Sequence, residues 1–127
     1  MVRLVQQCTI VLWGIVLCVV LGSPAKAADV ETGKKLYQER CSPCHGPDGK
    51  ADTPTAKALN PKPRDHSDGN YMNALSDEHL FKVIKEGGAS VGKSSIMPPQ
   101  VDLKEAQIQD IIAFVRTLAV PPYSDKK

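Results

Sequence analysis

One pentapeptide constrains this 127-residue chain more than any other feature, and it reads Cys41-Ser42-Pro43-Cys44-His45. Two thiols three positions apart, followed directly by an imidazole, form the attachment signature of a c-type haem. Each thiol can add to one vinyl group of the porphyrin, and the adjacent imidazole can then bind the iron. The motif therefore predicts one covalently bound haem c, with Cys41 and Cys44 as attachment points and His45 as an iron ligand.

Three other chemistries use a Cys-x-x-Cys pair. A thioredoxin-type redox pair requires a surrounding βαβ pattern, which this sequence lacks. A structural zinc site needs a second pair of ligands, yet His66 and His79 stand alone. A disulfide suits an exported protein but leaves His45 without a role. These chemistries remain alternatives, and haem attachment is favoured.

Residues 1–27 are typical of a secretory leader. Arg3 is followed by an uncharged, mostly apolar stretch over 4–22 and then by an Ala-x-Ala site that ends at Ala27. This pattern predicts a signal peptide cleaved after Ala27, and a single domain over 28–127 that is exported to the periplasm. A membrane anchor formed by an uncleaved leader stays an alternative, because the stretch approaches the roughly 20 residues that span a bilayer. Two of the four cysteines lie in this leader, so the mature chain keeps only the pair of the motif.

Charge and aromatic content exclude one class of partner and support the cofactor. The full chain carries a net charge of +2, and loss of the leader leaves basic and acidic residues in equal number. No basic tract is interleaved with aromatic residues, so no nucleic-acid partner is expected. Two Phe and three Tyr are few aromatic residues for a core, since the single Trp lies in the leader, and a buried porphyrin would supply the missing material.

Three amphipathic patterns predict helices. The first helix is expected over 29–40 with Asp29 as its cap. The second is expected to begin after Ser76 and to end at a pair of glycines. The third is expected to begin after Asp102, with Glu105 completing a capping box.

The remaining sequence predicts loops, so the expected fold is all-α. Proline and glycine over 46–69 forbid long helices and strands there, and no alternating strand pattern is present in the mature sequence. Gly33 lies inside the first helix, which indicates that another backbone approaches closely at that point. The residues expected to face the core are Val30, Gly33, Leu36, Tyr37, Leu80, Val83, Ile84, Ile108, Ile111, Ile112, Val115, Leu118 and Ala119.

The second axial position of the iron has several candidate ligands. Met97 is favoured, because it lies in an irregular segment between two helices and is followed by two prolines that stiffen the backbone. Met72 is better explained as a packing residue. His66 and His79 are expected at the surface. All three remain alternatives to Met97, as does an iron with one open position.

The motif at Cys41, Cys44 and His45, together with the later pair Met97-Pro98, resembles the class I c-type cytochromes, the small bacterial monohaem proteins. The resemblance covers essentially the whole mature chain. It implies the cytochrome c fold, with three main helices and long loops around one haem attached through thioethers at Cys41 and Cys44. It also implies that His45 and Met97 are the two axial ligands.

The family pattern extends to fold positions. Its first and last helices cross, with a glycine and an aromatic residue on one and an aliphatic and an aromatic residue on the other. Gly33 and Tyr37 match the first helix, and Ile111 and Phe114 match the last. The proline-rich segment also resembles the family except at His66, where an aromatic residue is expected.

An iron with two protein ligands has no open site for a substrate. The expected protein is therefore not an enzyme but a monomeric, periplasmic one-electron carrier that meets donor and acceptor redox proteins, with no membrane span in its mature form. An electron-donating subunit of a larger redox complex is the alternative, and an open-site haem enzyme or gas sensor is less favoured. The lysines that could guide docking are Lys50, Lys57, Lys82, Lys85 and Lys93.

Overall fold

Helices and loops make up the structure, a computed structural model that describes residues 27–124. In chain order the helices are α1 (Val30–Arg40), α2 (Ser42–His45), α3 (Pro54–Ala58), α4 (Gly69–Met72), α5 (Asp77–Glu86), a 3-10 helix (Gly88–Val91) and α6 (Glu105–Leu118). Residues 27–124 contain no β-strand, only a single bridge between Asp68 and Val120. The prediction of an all-α fold is confirmed, and α1, α5 and α6 are its three main helices.

The predicted leader falls almost wholly outside the described residues. The structure therefore leaves both its cleavage after Ala27 and the alternative of a membrane anchor as expectations. Within residues 27–124, no helix has the length and apolar character needed to cross a bilayer.

Helices α1 and α6 cross at a glycine, and they form the most extensive helix pairing in the described chain. A Cβ atom on Gly33 would overlap the backbone carbonyl of Asp110, so only glycine permits this approach. One turn further along α1, Tyr37 meets Phe114 edge to face, with ring centroids 5.1 Å apart. The close approach expected at Gly33 and the burial of Tyr37 are confirmed.

The start of α1 agrees with the sequence except at one position. The Asp29 carboxylate accepts a hydrogen bond from the Thr32 N–H at 2.9 Å, which is the expected cap. Asp29 also donates its own N–H to a carboxylate oxygen of Asp110 at 2.7 Å. Val30 was expected in the core but is 39% exposed, because the first turn of α1, including Glu31 and Thr32, faces solvent.

Helix α5 has the expected bounds. The Ser76 hydroxyl accepts from the His79 N–H at 3.1 Å, and Gly87 ends the helix with a φ of 83°. Leu80 and Ile84 are buried, as their spacing predicts, so this helix packs one apolar side against the core.

Helix α6 begins later than the sequence indicates. Its first residue is Glu105, and the Lys104 N–H donates to the side-chain carbonyl of Gln107 at 2.9 Å. Asp102 does not cap the helix, because its carboxylate accepts from both terminal nitrogens of Arg40, at 3.0 and 2.7 Å. The predicted capping box at Asp102 and Glu105 is therefore wrong: a cation from α1 takes the carboxylate, and this contact is not visible in the local sequence.

The segment after α6 is tied back to the loop before α4. Val120 donates its N–H to the Ser67 carbonyl at 2.9 Å. The buried Arg116 side chain donates to the Met72 carbonyl at 2.7 Å and to the Asp77 carboxylate at 2.9 Å. These bonds fix the short helix α4 and the start of α5 against the end of α6.

Candidate functional site

The pentapeptide lies on one helical turn. Cys41 follows α1 directly and donates its N–H to the Tyr37 carbonyl at 2.8 Å. The His45 N–H in turn donates to the Cys41 carbonyl at 2.9 Å, so the backbone stays helical to His45. Cys41 and Cys44, three residues apart, therefore lie on one side of this turn. Because α1 is held against α6, the crossing of these two helices also fixes the position of the motif.

The two thiols are free and partly buried. Burial raises the pKa of Cys41 to about 11, the neighbouring Cys44 adds to this rise, and Arg40 opposes it. A raised pKa is the opposite of what a thioredoxin-type nucleophile requires. Residues 27–124 contain no group of three or more His, Cys, Asp or Glu side chains arranged to hold a metal ion, so no zinc ligand set lies within them.

His45 is buried and is oriented by a backbone carbonyl. Its Nδ1 lies 2.9 Å from the Arg64 oxygen. A carbonyl can only accept, so Nδ1 carries the proton and the lone pair is on Nε2. Burial lowers the pKa of His45, and the bond to Arg64 partly opposes that shift, so the site favours the neutral ring. A neutral imidazole with a free Nε2, oriented through Nδ1, is the form in which histidine binds a metal.

A largely apolar, open cavity of about 340 Å³ adjoins the motif. Apolar side chains of α5 and α6 form part of its wall, which suits a porphyrin. The predicted site residues that line it are Cys41, Cys44, His45 and Met97. The alternative ligands Met72, His66 and His79 line it as well, so lining alone does not select the second ligand.

Met97 is held in the loop between the 3-10 helix and α6. Its carbonyl oxygen accepts from the Gly88 N–H at 3.0 Å, and its side chain is partly buried against the core. A Cβ atom on Gly87 would lie 3.0 Å from the Met97 carbonyl oxygen and 3.0 Å from the Pro99 nitrogen. Glycine at the end of α5 thus lets this loop run close to the helix and carry the thioether to the cavity.

The alternative sulfur ligand has a packing role. Met72 is only 2% exposed and belongs to the main hydrophobic cluster. It ends α4, and Arg116 holds its carbonyl. This agrees with the expectation of a packing residue. His79, expected at the surface, is partly buried in the first turn of α5.

His66 is placed differently from the prediction. It was expected at the surface but is partly buried and stacks on His45, with ring centroids 4.1 Å apart and planes 16° apart. Its Nδ1 is hydrogen-bonded to the Tyr37 hydroxyl at 3.1 Å. Burial lowers the pKa of His66 well below its ordinary value, and His45 and Arg64 lower it further. The one signal in the sequence was its position where the family pattern expects an aromatic residue.

Arg64 and Tyr71 were not predicted to line the site. Besides the carbonyl that orients His45, Arg64 places its guanidinium 3.8 Å from the centroid of the Tyr71 ring, and both residues line the cavity. No side-chain pattern identifies a carbonyl that will hold a histidine, so sequence reasoning could not find this contact.

The side chains present fit a haem. Two free thiols on one helical turn can form the thioethers, the free Nε2 of His45 can bind iron, and the apolar wall can exclude water from the ring. The fold and this donor set define a small helical protein with a covalent haem. Residues 30–119 match the model of the family described as cytochrome c, and the chain belongs to that family.

Solved structures similar to this chain include two that match over most of its length. The c-type cytochrome KustC0563 is 28% identical with a TM-score of 0.57, and the match covers 68% of this chain and 96% of that one. A chain of the Kuenenia stuttgartiensis reducing HAO-like protein complex Kustc0457/Kustc0458 is 22% identical with a TM-score of 0.61. That match covers 80% of this chain and 50% of the other, and it shows the fold alone. A search of curated proteins found no match.

Family membership and the motif together establish the cofactor as haem c, covalently bound through Cys41 and Cys44. They also establish electron transfer as the general function.

Proposed function

We propose that this protein is a periplasmic one-electron carrier whose haem iron is bound by His45 and Met97. The observation that carries the proposal is the bond from His45 Nδ1 to the Arg64 carbonyl, 2.9 Å long, which leaves Nε2 available at a cavity that Met97 also lines. When bound, the haem supplies an iron that gains and loses one electron.

The chain's own contribution is to hold both ligands and to exclude water. A thioether ligand raises the reduction potential relative to a second imidazole, and an apolar cavity disfavours the extra charge of ferric iron. Both effects favour the reduced state. If His45 and Met97 both bind the iron, no position would be left for a substrate, as a carrier requires and an enzyme or gas sensor does not.

We propose that partner proteins dock at the exposed lysines that line the cavity. Lys93 is the one of the five predicted lysines that lines the cavity. Lys62, which was not among the five, also lines it. Lys50 is paired with Asp48 at 3.1 Å, and Lys85 with Glu105 at 3.0 Å, so these two are partly neutralised. Lys62 and Lys93 are therefore the better candidates for meeting an acidic redox partner.

A subunit of a larger redox complex is the second candidate. Ile96 lines the cavity and is 48% exposed, and Val101 nearby in sequence is 80% exposed. The exposed part of Ile96 would be available to pack against a partner subunit beside the cavity. Sedimentation of the purified holoprotein at micromolar concentration, alone and with cell extract depleted of it, separates the two: a free carrier stays a monomer, and a subunit co-sediments in a stable larger particle.

The axial ligands are tested by substitution at the two methionines. Met97→Ala should abolish the far-red sulfur-to-iron absorption band of the ferric protein and let the reduced protein bind carbon monoxide. Met72→Leu is the matched control, because it removes a sulfur from a core position at nearly constant volume. If Met97→Ala keeps the band and Met72→Leu loses it, Met72 is the ligand. If the unsubstituted protein lacks the band and binds carbon monoxide, the closed-site carrier is wrong.

Export is tested by the mass of the protein from the periplasmic fraction. Residues 28–127 plus one haem is the expected species. A haem-loaded protein that keeps residues 1–27 and remains with the membrane would show that the leader is an anchor and is not cleaved.

A further inference from the structure

One histidine that the proposed electron transfer does not use lies flat against the proposed iron ligand. The rings of His66 and His45 are 4.1 Å apart and within 16° of parallel. Stacked rings at this separation resist rotation and tilting of one another. His45 is therefore restrained twice, at its edge by the Arg64 carbonyl at 2.9 Å and across its face by His66.

His66 is itself anchored at two points. Its backbone N–H donates to the Gly49 carbonyl at 2.7 Å, and its Nδ1 is bonded to the Tyr37 hydroxyl at 3.1 Å. Tyr37 has no exposed surface and packs on Phe114 with ring centroids 5.1 Å apart. A continuous series of contacts thus runs from the crossing of α1 and α6, through Tyr37 and His66, to the ring of His45.

We propose that His66 is a positioning residue that fixes the ring plane of His45 at the iron and keeps water from one face of that ring. The inference rests on the proposed function, because it takes His45 as an axial ligand. It also accounts for the departure from the family pattern. An imidazole is flat like the aromatic residue expected at this position, and it adds a polar edge that pairs with the Tyr37 hydroxyl. Groups that orient a metal-bound histidine change the affinity and the reduction potential of the metal without binding it.

The test compares His66→Ala with His66→Phe in the haem-loaded protein. The orientation of an axial imidazole sets how unpaired spin is distributed over the porphyrin, so proton NMR of the ferric protein reports it through the four haem-methyl shifts. His66→Ala should redistribute those shifts and lower the reduction potential, because water gains access to the ligand. His66→Phe should restore the wild-type order of the methyl shifts, since it keeps a flat ring against His45.

Tyr37→Phe is the second variant, and it keeps the test open if His66→Ala does not fold. It removes only the hydroxyl that anchors His66, so the methyl shifts should move in the same direction as in His66→Ala, but less. Methyl shifts and a potential that stay at wild-type values in a folded His66→Ala protein would overturn the positioning role. A His66→Phe protein that behaves like His66→Ala would overturn it too, because the ring plane would then not be what matters.

Failure of the proposed function would look different. Wild-type protein without iron-shifted His45 ring protons would overturn His45 ligation and the inference that depends on it. Iron-shifted His45 protons without the far-red sulfur band would reject Met97 alone, and the comparison of His66 variants would still decide the positioning role.

Discussion

The two proposed axial ligands are held in different ways. His45 is buried on the short helix that continues α1, and it is fixed by a hydrogen bond to Arg64 at 2.9 Å and by the stacked ring of His66. Met97 is only partly buried in a loop, and a backbone bond to Gly88 at 3.0 Å fixes it at one point. The chain thus places one proposed ligand on a helix packed against the core and the other on a loop, where it is less buried.

The difference suits the chemistry of the two ligands. An imidazole is the stronger iron ligand and gains from a fixed orientation, whereas a thioether is weak and binds only if the backbone brings it close. Loops with few buried contacts open at lower free energy than helices in the core. Destabilising conditions should therefore release Met97 before they disturb His45. Substitutions around His45 and around the Met97 loop should differ in the size of their effects, from the largest to the smallest.

The largest effect on stability is expected at the crossing of α1 and α6, which supports the helical turn that carries His45. Gly33→Val places a branched side chain against the Asp110 carbonyl and should lower the free energy of unfolding by about 3 kcal/mol. Lys34→Val, at an exposed position of the same helix, should cost only about 0.5 kcal/mol through helix propensity. Urea unfolding of the holoproteins measures both. Equal midpoints for the two variants would mean that the crossing is not tightly packed.

Two glycines with similar backbone angles allow the surroundings of His45 and of Met97 to be perturbed separately. Gly46 follows His45 with φ 82° and ψ 152°, and Gly87 precedes the Met97 loop with φ 83° and ψ 168°. Only glycine adopts this conformation readily, so alanine at either position should cost about 2 kcal/mol. Gly87→Ala should weaken the far-red band, and Gly46→Ala should instead shift the His45 ring protons. Identical spectral changes in the two variants would show that the positions of His45 and Met97 are not held independently.

A smaller effect is expected from the hydroxyl that anchors His66. Tyr37→Phe leaves the ring packed on Phe114 but removes the bond to His66 Nδ1, at a cost of about 1 kcal/mol. Adding His66→Phe removes the unpaired nitrogen as well, so the double variant should recover part of that loss. Thermal unfolding of the two single variants and the double variant measures the coupling. Strictly additive losses would show that the pair is not coupled.

The smallest effect is expected at the surface ion pair that links α1 to the end of the Met97 loop. The Arg40 guanidinium lowers the pKa of Asp102 below its ordinary value of 3.8. A depressed carboxyl pKa adds stability above the unfolded-state value, and this is lost as pH falls through the folded-state value. Asp102→Asn should therefore be slightly less stable than wild type at pH 7 and lose less of its stability on acidification.

Salt provides the control for this last prediction. Both partners of the pair face solvent, so its contribution should vanish at 1 M salt. A difference between wild type and Asp102→Asn that is independent of both pH and salt would show that Asp102 acts through packing or hydrogen bonding instead.

The sequence alone determined the features that depend on neighbours along the chain. Helical spacing and the local caps at Asp29 and Ser76 predicted α1 and α5, because these caps bond to backbone groups three residues away. The attachment motif predicted the cofactor for the same reason: two thiols and an imidazole within five residues need only one helical turn to meet one porphyrin. Gly33 predicted a close approach, although not the Asp110 carbonyl that it meets.

Tertiary structure decided the features that join distant parts of the chain. Asp102 has the local signature of a cap, yet Arg40 takes its carboxylate. His66 resembles a surface histidine in sequence, but the loop that carries it folds back onto α1, where the Tyr37 hydroxyl and the His45 ring enclose it. The physical reason is the same in both cases: a polar side chain bonds to the best partner within reach, and folding, not sequence spacing, sets which partners are within reach.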